Sequence, residues 1–408
     1  MTDTSLQSDL AHPDLAQRES GLGAALALTT ASQVAATSSV LALTTIPTLV
    51  ANTLGIGPHM IGYQVSLIYA SGVIFSMMAG ALAKRWGPAR VGQLALLGAF
   101  AGFAGMATGH LWTIALASVL IGVGYALNNP SSSHVLSRLA PPARRNLIFS
   151  VKQAGVPLGG ALAALAIPPL AQSFGWQPVL LGFSLIPLVL ALVYQLKRGA
   201  WDNERAPDIA IGRGIWQGQR TVLSNPDLRA LAFLGFFYSA VQLSISTFTV
   251  AMLIEEFGWS PVSAAGIAAI VQIAGAGGRI FWGLVADRLR NGFAVLAIVG
   301  FITGAAILGF SLIGNLPALG LALIGLAGFT GNGWNGVLLA ETAHSSPGKG
   351  TLTGEVLTYT FIGVMVGPAT FSLAFNLIGS FSGTFRLLAI VAFAGSLWAL
   401  VRACKARR

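Results

Sequence analysis

The chain has 408 residues, of which 54% are hydrophobic and only 9% charged, with 50 glycines and a mean hydropathy of +0.74. A soluble globular chain carries about 25% charged residues, so the composition excludes that class and predicts a polytopic membrane protein. The net charge of +10 then reads as a topology signal, and nucleic-acid binding is not expected.

The first 20 residues, with Asp3, Asp9, Asp14 and Glu19, are polar and lack the basic start of a cleaved signal peptide. A disordered cytoplasmic tail is expected there. Beyond it, runs of about 20 apolar residues predict an all-α membrane protein of twelve spans: 24–50, 60–83, 91–109, 112–134, 147–171, 178–197, 230–253, 262–285, 292–313, 317–340, 352–376 and 384–402. They group into an N-terminal six-helix bundle at 21–197 and a C-terminal one at 229–403, joined by a basic linker at 198–228 and followed by a basic tail at 404–408. With the N-terminus inside, Lys84, Arg85, Arg90, Arg138, Arg144, Arg145, the 197–229 stretch, Arg288, Arg290, Lys349 and the last residues all fall on the cytoplasmic side. Arg386 alone departs from this asymmetry, which orients the chain in a plasma (inner) membrane with both termini cytoplasmic. The single cysteine, Cys404, forms no intramolecular disulfide. Five scattered histidines provide no clustered metal ligands, so neither metal nor cofactor is expected.

Self-similarity is the most informative signal. The segments "GALAKRWGPARV" from Gly80 and "GLVADRLRNGFAV" from Gly283 lie 203 residues apart, each at the cytoplasmic end of a span. The same offset maps Leu54–Pro58 onto Phe257–Pro261, Gly72 onto Gly275, Gly122 onto Gly325 and Asn129 onto Asn332. An even number of spans per unit makes this a parallel repeat about the membrane normal.

On these segments the chain resembles a major facilitator superfamily transporter, with the loop signature best kept in "GRIFWGLVADRLRNG" at Gly278–Gly292. The first copy departs from it, since Lys84 stands where the family usually has Asp. The resemblance implies two pseudosymmetric bundles, alternating access, a central cavity lined by spans 1, 4, 7 and 10, and contacts of span 2 with 11 and span 5 with 8. It does not name a solute.

The offset carries Lys84 onto Asp287 and Lys152 onto Glu355, so equivalent places hold reversed charges. In the implied arrangement Lys152 approaches Asp287 and Glu355 approaches Lys84, a pair of interdomain latches for the state open to the outside. Two alternatives stay open for Lys152: its stem snorkels to the surface, about 9 Å away at 1.5 Å per residue, or its ammonium meets the solute. Arg279 lies about 12 Å deeper than Asp287 on the same helix. Its position matches a substrate-binding arginine of the monocarboxylate and oxalate transporter branches, whereas Gly275 stands where the monocarboxylate branch has an acidic partner. An unneutralised guanidinium suits a carboxylate; bonding of carbonyls or of Asp287 is the alternative.

No Asp or Glu occurs between Glu19 and Asp202, which disfavours a cationic-drug antiporter, since such a carrier needs a membrane-embedded acid. By helical spacing Gln33, Thr37 and Thr44 share a face of span 1, and Tyr238, Gln242, Ser246 and Thr249 share one of span 7. With Asn129, Asn332, Trp334 and the neighbouring Asn335 they are candidates to contact solute, or to join helices. Glu341 and Glu355 are the candidate proton carriers, because burial raises a carboxyl toward the physiological range. The expected function is proton-linked secondary transport of a small organic anion such as a carboxylate, by a monomer whose partners are the solute, H+ and membrane lipids. The alternative is an efflux pump for neutral or anionic drug-like compounds. Scattered polar groups without a catalytic cluster exclude an enzyme.

Overall fold

The computed structural model describes residues 12–141, 145–209, 215–346 and 352–406. Residues 1–11, Arg144, Lys349, Arg407 and Arg408 lie outside them. Spans 1–6 are His12–Leu41, Ile61–Trp86, Pro88–Met106, Leu111–Leu139, Arg145–Phe174 and Trp176–Trp201. Spans 7–9 are Pro226–Glu255, Pro261–Leu289 and Gly292–Leu308, span 10 is the pair Pro317–Gly331 and Trp334–Ser345, and spans 11 and 12 are Thr353–Ile378 and Phe381–Ala406. Eleven of the described helices are long and apolar enough to cross a membrane, and the interrupted span 10 completes twelve.

Local chemistry sets the boundaries. Proline at the first position starts spans 3, 7 and 8, where its missing N–H has no helical partner to lose. Asn225 accepts from the amide of Asp227 at 2.9 Å, Ser260 from Ser263 at 3.2 Å and Asn291 from Ala294 at 3.0 Å, capping spans 7, 8 and 9. Leu181, Leu185, Val189, Leu192 and Leu196 form an exposed apolar stripe on span 6. Such a stripe suits lipid as its solvent.

Three expectations need correction. Residues 12–20 are not a disordered tail but continue span 1 as helix; Pro13 sits in the first turn and good helix formers follow it. Span 1 does not run unbroken to residue 50. It ends at Leu41 and is followed by a turn at Leu43–Thr45 and a short helix, Pro47–Leu54. Pro47 cannot donate to the ladder, and the Thr44 and Thr45 hydroxyls each bond a carbonyl three residues back at 2.7 Å. Span 10 breaks at Asn332–Gly333, where the run Gly331-Asn332-Gly333 has low helix propensity.

Across the halves, span 2 packs on span 11 and span 5 on span 8. Opposite the termini this contact is sealed. The Ser372 hydroxyl donates to the His59 carbonyl at 2.6 Å and His59 stacks on Phe375 at 4.6 Å, beside Phe248 and Phe371 of the C-terminal half, which stack on each other at 4.1 Å. Gly62 sits inside the seal, where a Cβ would meet Ser372, the Pro368 carbonyl and the Phe248 ring. Gly62→Val therefore wedges the seal apart. In a Cys404→Ser background carrying Phe375→Cys, we expect faster labelling by an impermeant maleimide and transport reduced at least tenfold; unchanged labelling would show that the seal accommodates the side chain.

At the terminus face, Asp202 follows span 6 and caps span 3, accepting from the amides of Ala89 at 2.7 Å and Arg90 at 3.3 Å. The Lys84 carbonyl accepts from Ala206 at 2.8 Å. The loop whose first copy lacks the usual Asp is thus held by a carboxylate from beyond span 6. Burial pushes the Asp202 carboxyl up, against the pull of the two amides and of Arg198 and Arg90. With its native value raised, its favourable contribution is present below the unfolded value and is lost as pH rises through the native one. Asp202→Asn should flatten the thermal midpoint across that window, whereas Asp202→Ala should lose about 1 kcal/mol with the cap.

Candidate functional site

Between the halves lies a cavity of about 170 Å³. Its wall takes Thr37 from span 1, Asn129 from span 4, Gln242 from span 7 and Asn332 and Trp334 from span 10, as the sequence predicted, with further residues from spans 2, 5, 8 and 11. Arg279 is the one charged residue among the described wall residues.

Arg279 reaches the wall because small residues bring span 8 against span 10. A Cβ on Gly278 would collide with the Phe329 carbonyl, and one on Gly275 would lie 2.5–2.9 Å from the Asn332 side chain. The close approach explains why position 275 holds no acidic partner: there is no room for a side chain. The guanidinium donates through Nε to the Asn332 carbonyl at 3.3 Å, and it forms no ion pair among the described residues. Tyr125, also on the wall, meets the Tyr69 ring edge-on at 5.7 Å.

Lys152 is 1% exposed and turned into its own half. Its Nζ donates to Gln33 Oε1 at 2.9 Å, to Gln153 Oε1 at 3.3 Å and to Asn129 Oδ1. Gln33 Oε1 also accepts from Asn128 at 2.9 Å, and Asn128 Oδ1 accepts from Ser32 at 2.5 Å. Spans 1, 4 and 5 are thereby tied by an ammonium whose acceptors are all neutral amides. Gly160 packs on the Gln272 side chain, and Lys152 and Arg279 each lie about two turns from that contact toward the termini. The two cations therefore stand at similar depth in facing halves.

Other expectations are redistributed. Gln33 is fully buried behind the wall in the Lys152 network. Tyr238 points away from the cavity: its hydroxyl donates to the Leu296 carbonyl at 2.8 Å, and the ring fills space left by Gly300 and Gly395. Residues four apart on a helix differ by only about 40° in direction, so spacing alone did not separate its face from that of Gln242. Thr44 and Thr249 bond carbonyls of their own helices.

Neither latch pair is formed in this conformation. Lys84 and Asp287 are exposed, and Glu355 lies beside Gly218 of the linker helix Ile215–Ser224. Glu341 accepts from the Gly292 amide at 3.0 Å at the start of span 9, and Glu256 accepts from the amides of Phe381 and Ser382 at the start of span 12. Neither Glu341 nor Glu355 reaches the cavity wall. Sequence reasoning missed Tyr69 and Gln272 on that wall. Gln272 was legible, two helical turns before Arg279 on the same face; Tyr69 was not, because its exposure depends on the tilt of span 2.

Two packed helical bundles enclosing a polar cavity, sealed on one face, define a membrane carrier. The chain belongs to the Major Facilitator Superfamily, whose profile matches residues 28–368, and it is a transporter, not an enzyme. It is 28% identical to a 3-(3-hydroxy-phenyl)propionate transporter of Escherichia coli (strain K12), over 80% of each chain. It is 26% identical to a gallate transporter of Pseudomonas putida, over 84% of this chain and 82% of that one, and 24% identical to a hexuronate transporter of Bacillus subtilis (strain 168), over 82% and 84%. Among solved structures, a bacterial homolog of the human lysosomal transporter Spinster, inward-facing and unoccupied, superposes with a TM-score of 0.67 at 16% identity, over 94% of this chain and 96% of that one. That likeness concerns the fold.

Proposed function

We propose that this transporter carries a small organic anion, a hydroxylated ring-bearing carboxylate, into the cell by alternating access and proton-linked symport. The observation that carries the reading is Arg279, a guanidinium on the cavity wall with no carboxylate partner among the described residues. A planar fork of this kind matches a carboxylate. Amides and hydroxyls from both halves suit the ring substituents, and Trp334 and Tyr125 suit the ring. The hydroxyphenylpropionate and gallate transporters among the relatives support the same class. The basic loops support a cytoplasmic terminus face; on this reading the carrier is a plasma-membrane monomer and the seal described above closes its outer side.

In the outward-open state, closure of the terminus face brings Lys152 toward Asp287 and Lys84 toward Glu355, forming the latch that is open here. Lys152→Glu should impair transport, and Asp287→Lys in the same chain should partly restore it; no rescue in a folded, inserted protein removes that pairing.

The test of function is uptake of labelled 4-hydroxybenzoate and 3-(3-hydroxyphenyl)propionate into proteoliposomes, with and without an inward proton gradient. Accumulation that a protonophore collapses supports the reading. Uptake indifferent to the gradient removes proton coupling. Movement of phenol or benzylamine in preference to the acids, or outward only, favours the efflux alternative.

A further inference from the structure

Glu341 and Glu355 do not reach the cavity, and no carboxylate stands among its described wall residues. Lys152 does communicate with it. Two of the three amides that accept from Nζ, those of Asn129 and Gln153, are themselves on the wall, so the nitrogen lies one hydrogen bond behind the cavity. We infer that the Lys152 amine is the group that takes up and releases the coupling proton. The inference rests on the proton-linked organic-anion reading and names its proton site.

The cradle suits both protonation states. An ammonium has three N–H groups and finds three amide oxygens, on Gln33, Asn129 and Gln153. A neutral amine has two N–H groups and a lone pair, and a primary amide offers a donor as well as an acceptor. Turning the amide of Gln153, whose bond to Nζ is 3.3 Å long, satisfies that lone pair. A carboxylate at this place would hold the charge on the lysine, whereas neutral amides let the proton come and go. Arg279 has no such freedom, because a guanidinium keeps its proton.

Spans 1, 4, 6 and 8 pack on span 5. Span 1 has no titratable residue from Gly21 to Leu41. Span 4 carries Tyr125 on the wall, and His134 and Arg138 lie about 7 and 13 Å nearer the termini than Asn129; Arg138 pairs with Glu204 at 3.0 Å. In span 6, Tyr194 packs on Trp201 and Gly92, while Lys197 and Arg198 stand near its end. Span 8 brings Arg279, with Asp287 and Arg288 exposed in its last turns, and span 5 itself adds Arg145 at its first position. The charge that shares the cavity with Lys152 is therefore Arg279. A proton on Lys152 in the empty cavity sets a second uncompensated cation at the depth of Arg279, which the membrane interior opposes. A bound carboxylate neutralises Arg279 and removes that opposition. Anion and proton thus favour each other, each raising the affinity of the other by the same factor. The empty carrier and the carrier loaded with one monocarboxylate and one proton then hold the same net charge.

The test counts protons. The purified full chain is titrated with 4-hydroxybenzoate near neutral pH in buffers of different ionisation enthalpy, so that the heats report protons taken up on binding, and accumulation is followed in proteoliposomes. The parent protein should take up a proton with the anion, in a fraction that rises with pH toward one per carboxylate. Lys152→Arg, which cannot release its proton, should bind with no uptake and exchange the acid without proton-driven accumulation. Lys152→Met should bind about tenfold more weakly, also with no uptake. A lysine that only ties spans together or latches Asp287 would leave proton uptake intact in both variants, and that result overturns the site. If the parent binds the acid without taking up protons at any pH, the proton site falls and the organic-anion reading stands. If no carboxylate binds while phenol does, both fall. Should Lys152→Arg fail to fold, Lys152→Met decides alone: proton uptake retained there overturns the site, and its loss upholds it.

Discussion

Arg279→Ala should abolish carboxylate transport while leaving an inserted, folded protein. Truncating one partner of a buried, hydrogen-bonded charge pair costs about 2–5 kcal/mol, or about 30- to 5000-fold in affinity. On the proposed reading the missing partner is the solute, since the protein supplies no carboxylate to the guanidinium among the described residues. The free protein loses only the Nε bond to the Asn332 carbonyl. Its ligand-free midpoint should therefore move little, or rise as an uncompensated charge leaves the membrane interior. In the parent protein a ligand at about 100 times its Kd stabilises by about 2.7 kcal/mol; in the variant that shift should vanish for 4-hydroxybenzoate. Arg279→Lys should recover little, since a point charge does not reproduce the fork. A variant that still accumulates the acid at the parental rate would show Arg279 to be a structural bond to span 10.

Lys152→Met should separate stability from transport. A cation at the centre of a span costs about 2.5–3.5 kcal/mol on insertion scales, and less toward its end, where Lys152 lies. The three amide oxygens around Nζ solvate that charge without neutralising it. Methionine fills a similar volume, carries no charge, and leaves Gln33 with its bond from Asn128. The thermal midpoint should hold or rise, whereas transport should fall more than tenfold, because on the proposed reading the variant loses the partner of Asp287 in the outward-open state. A midpoint several degrees lower with transport retained would make the network the glue of spans 1, 4 and 5 and nothing more. Stability gained at the expense of activity is the usual signature of a strained functional group.

The linear sequence was enough for the span count, the repeat and the identity of the unusual charges, because each follows from a property of the chain alone. A run of about 20 apolar residues must cross as helix, since no water is there to satisfy the backbone. A cation inside such a run is conspicuous wherever it points. Arg279, Asn129, Gln242, Asn332 and Trp334 were accordingly found from sequence, and the cavity holds them. Rotation, tilt and interruption of the helices were decided by tertiary packing, which no local rule encodes. Tyr238 and Gln242 lie one turn apart, yet Gly300 and Gly395 leave space for the ring on the far side of span 7. Lys152 meets amides of its own half and not Asp287, because its side chain is turned toward spans 1 and 4. The interruption of span 10 has a weak local cause in two glycines, and it is joined by a contact 53 residues distant in sequence, the Arg279 bond to the Asn332 carbonyl. The sequence by itself thus determined which groups must be buried in the membrane. Which of them line the cavity was settled by the packing of glycines against neighbouring helices, since that sets how closely two spans approach and which face each turns inward.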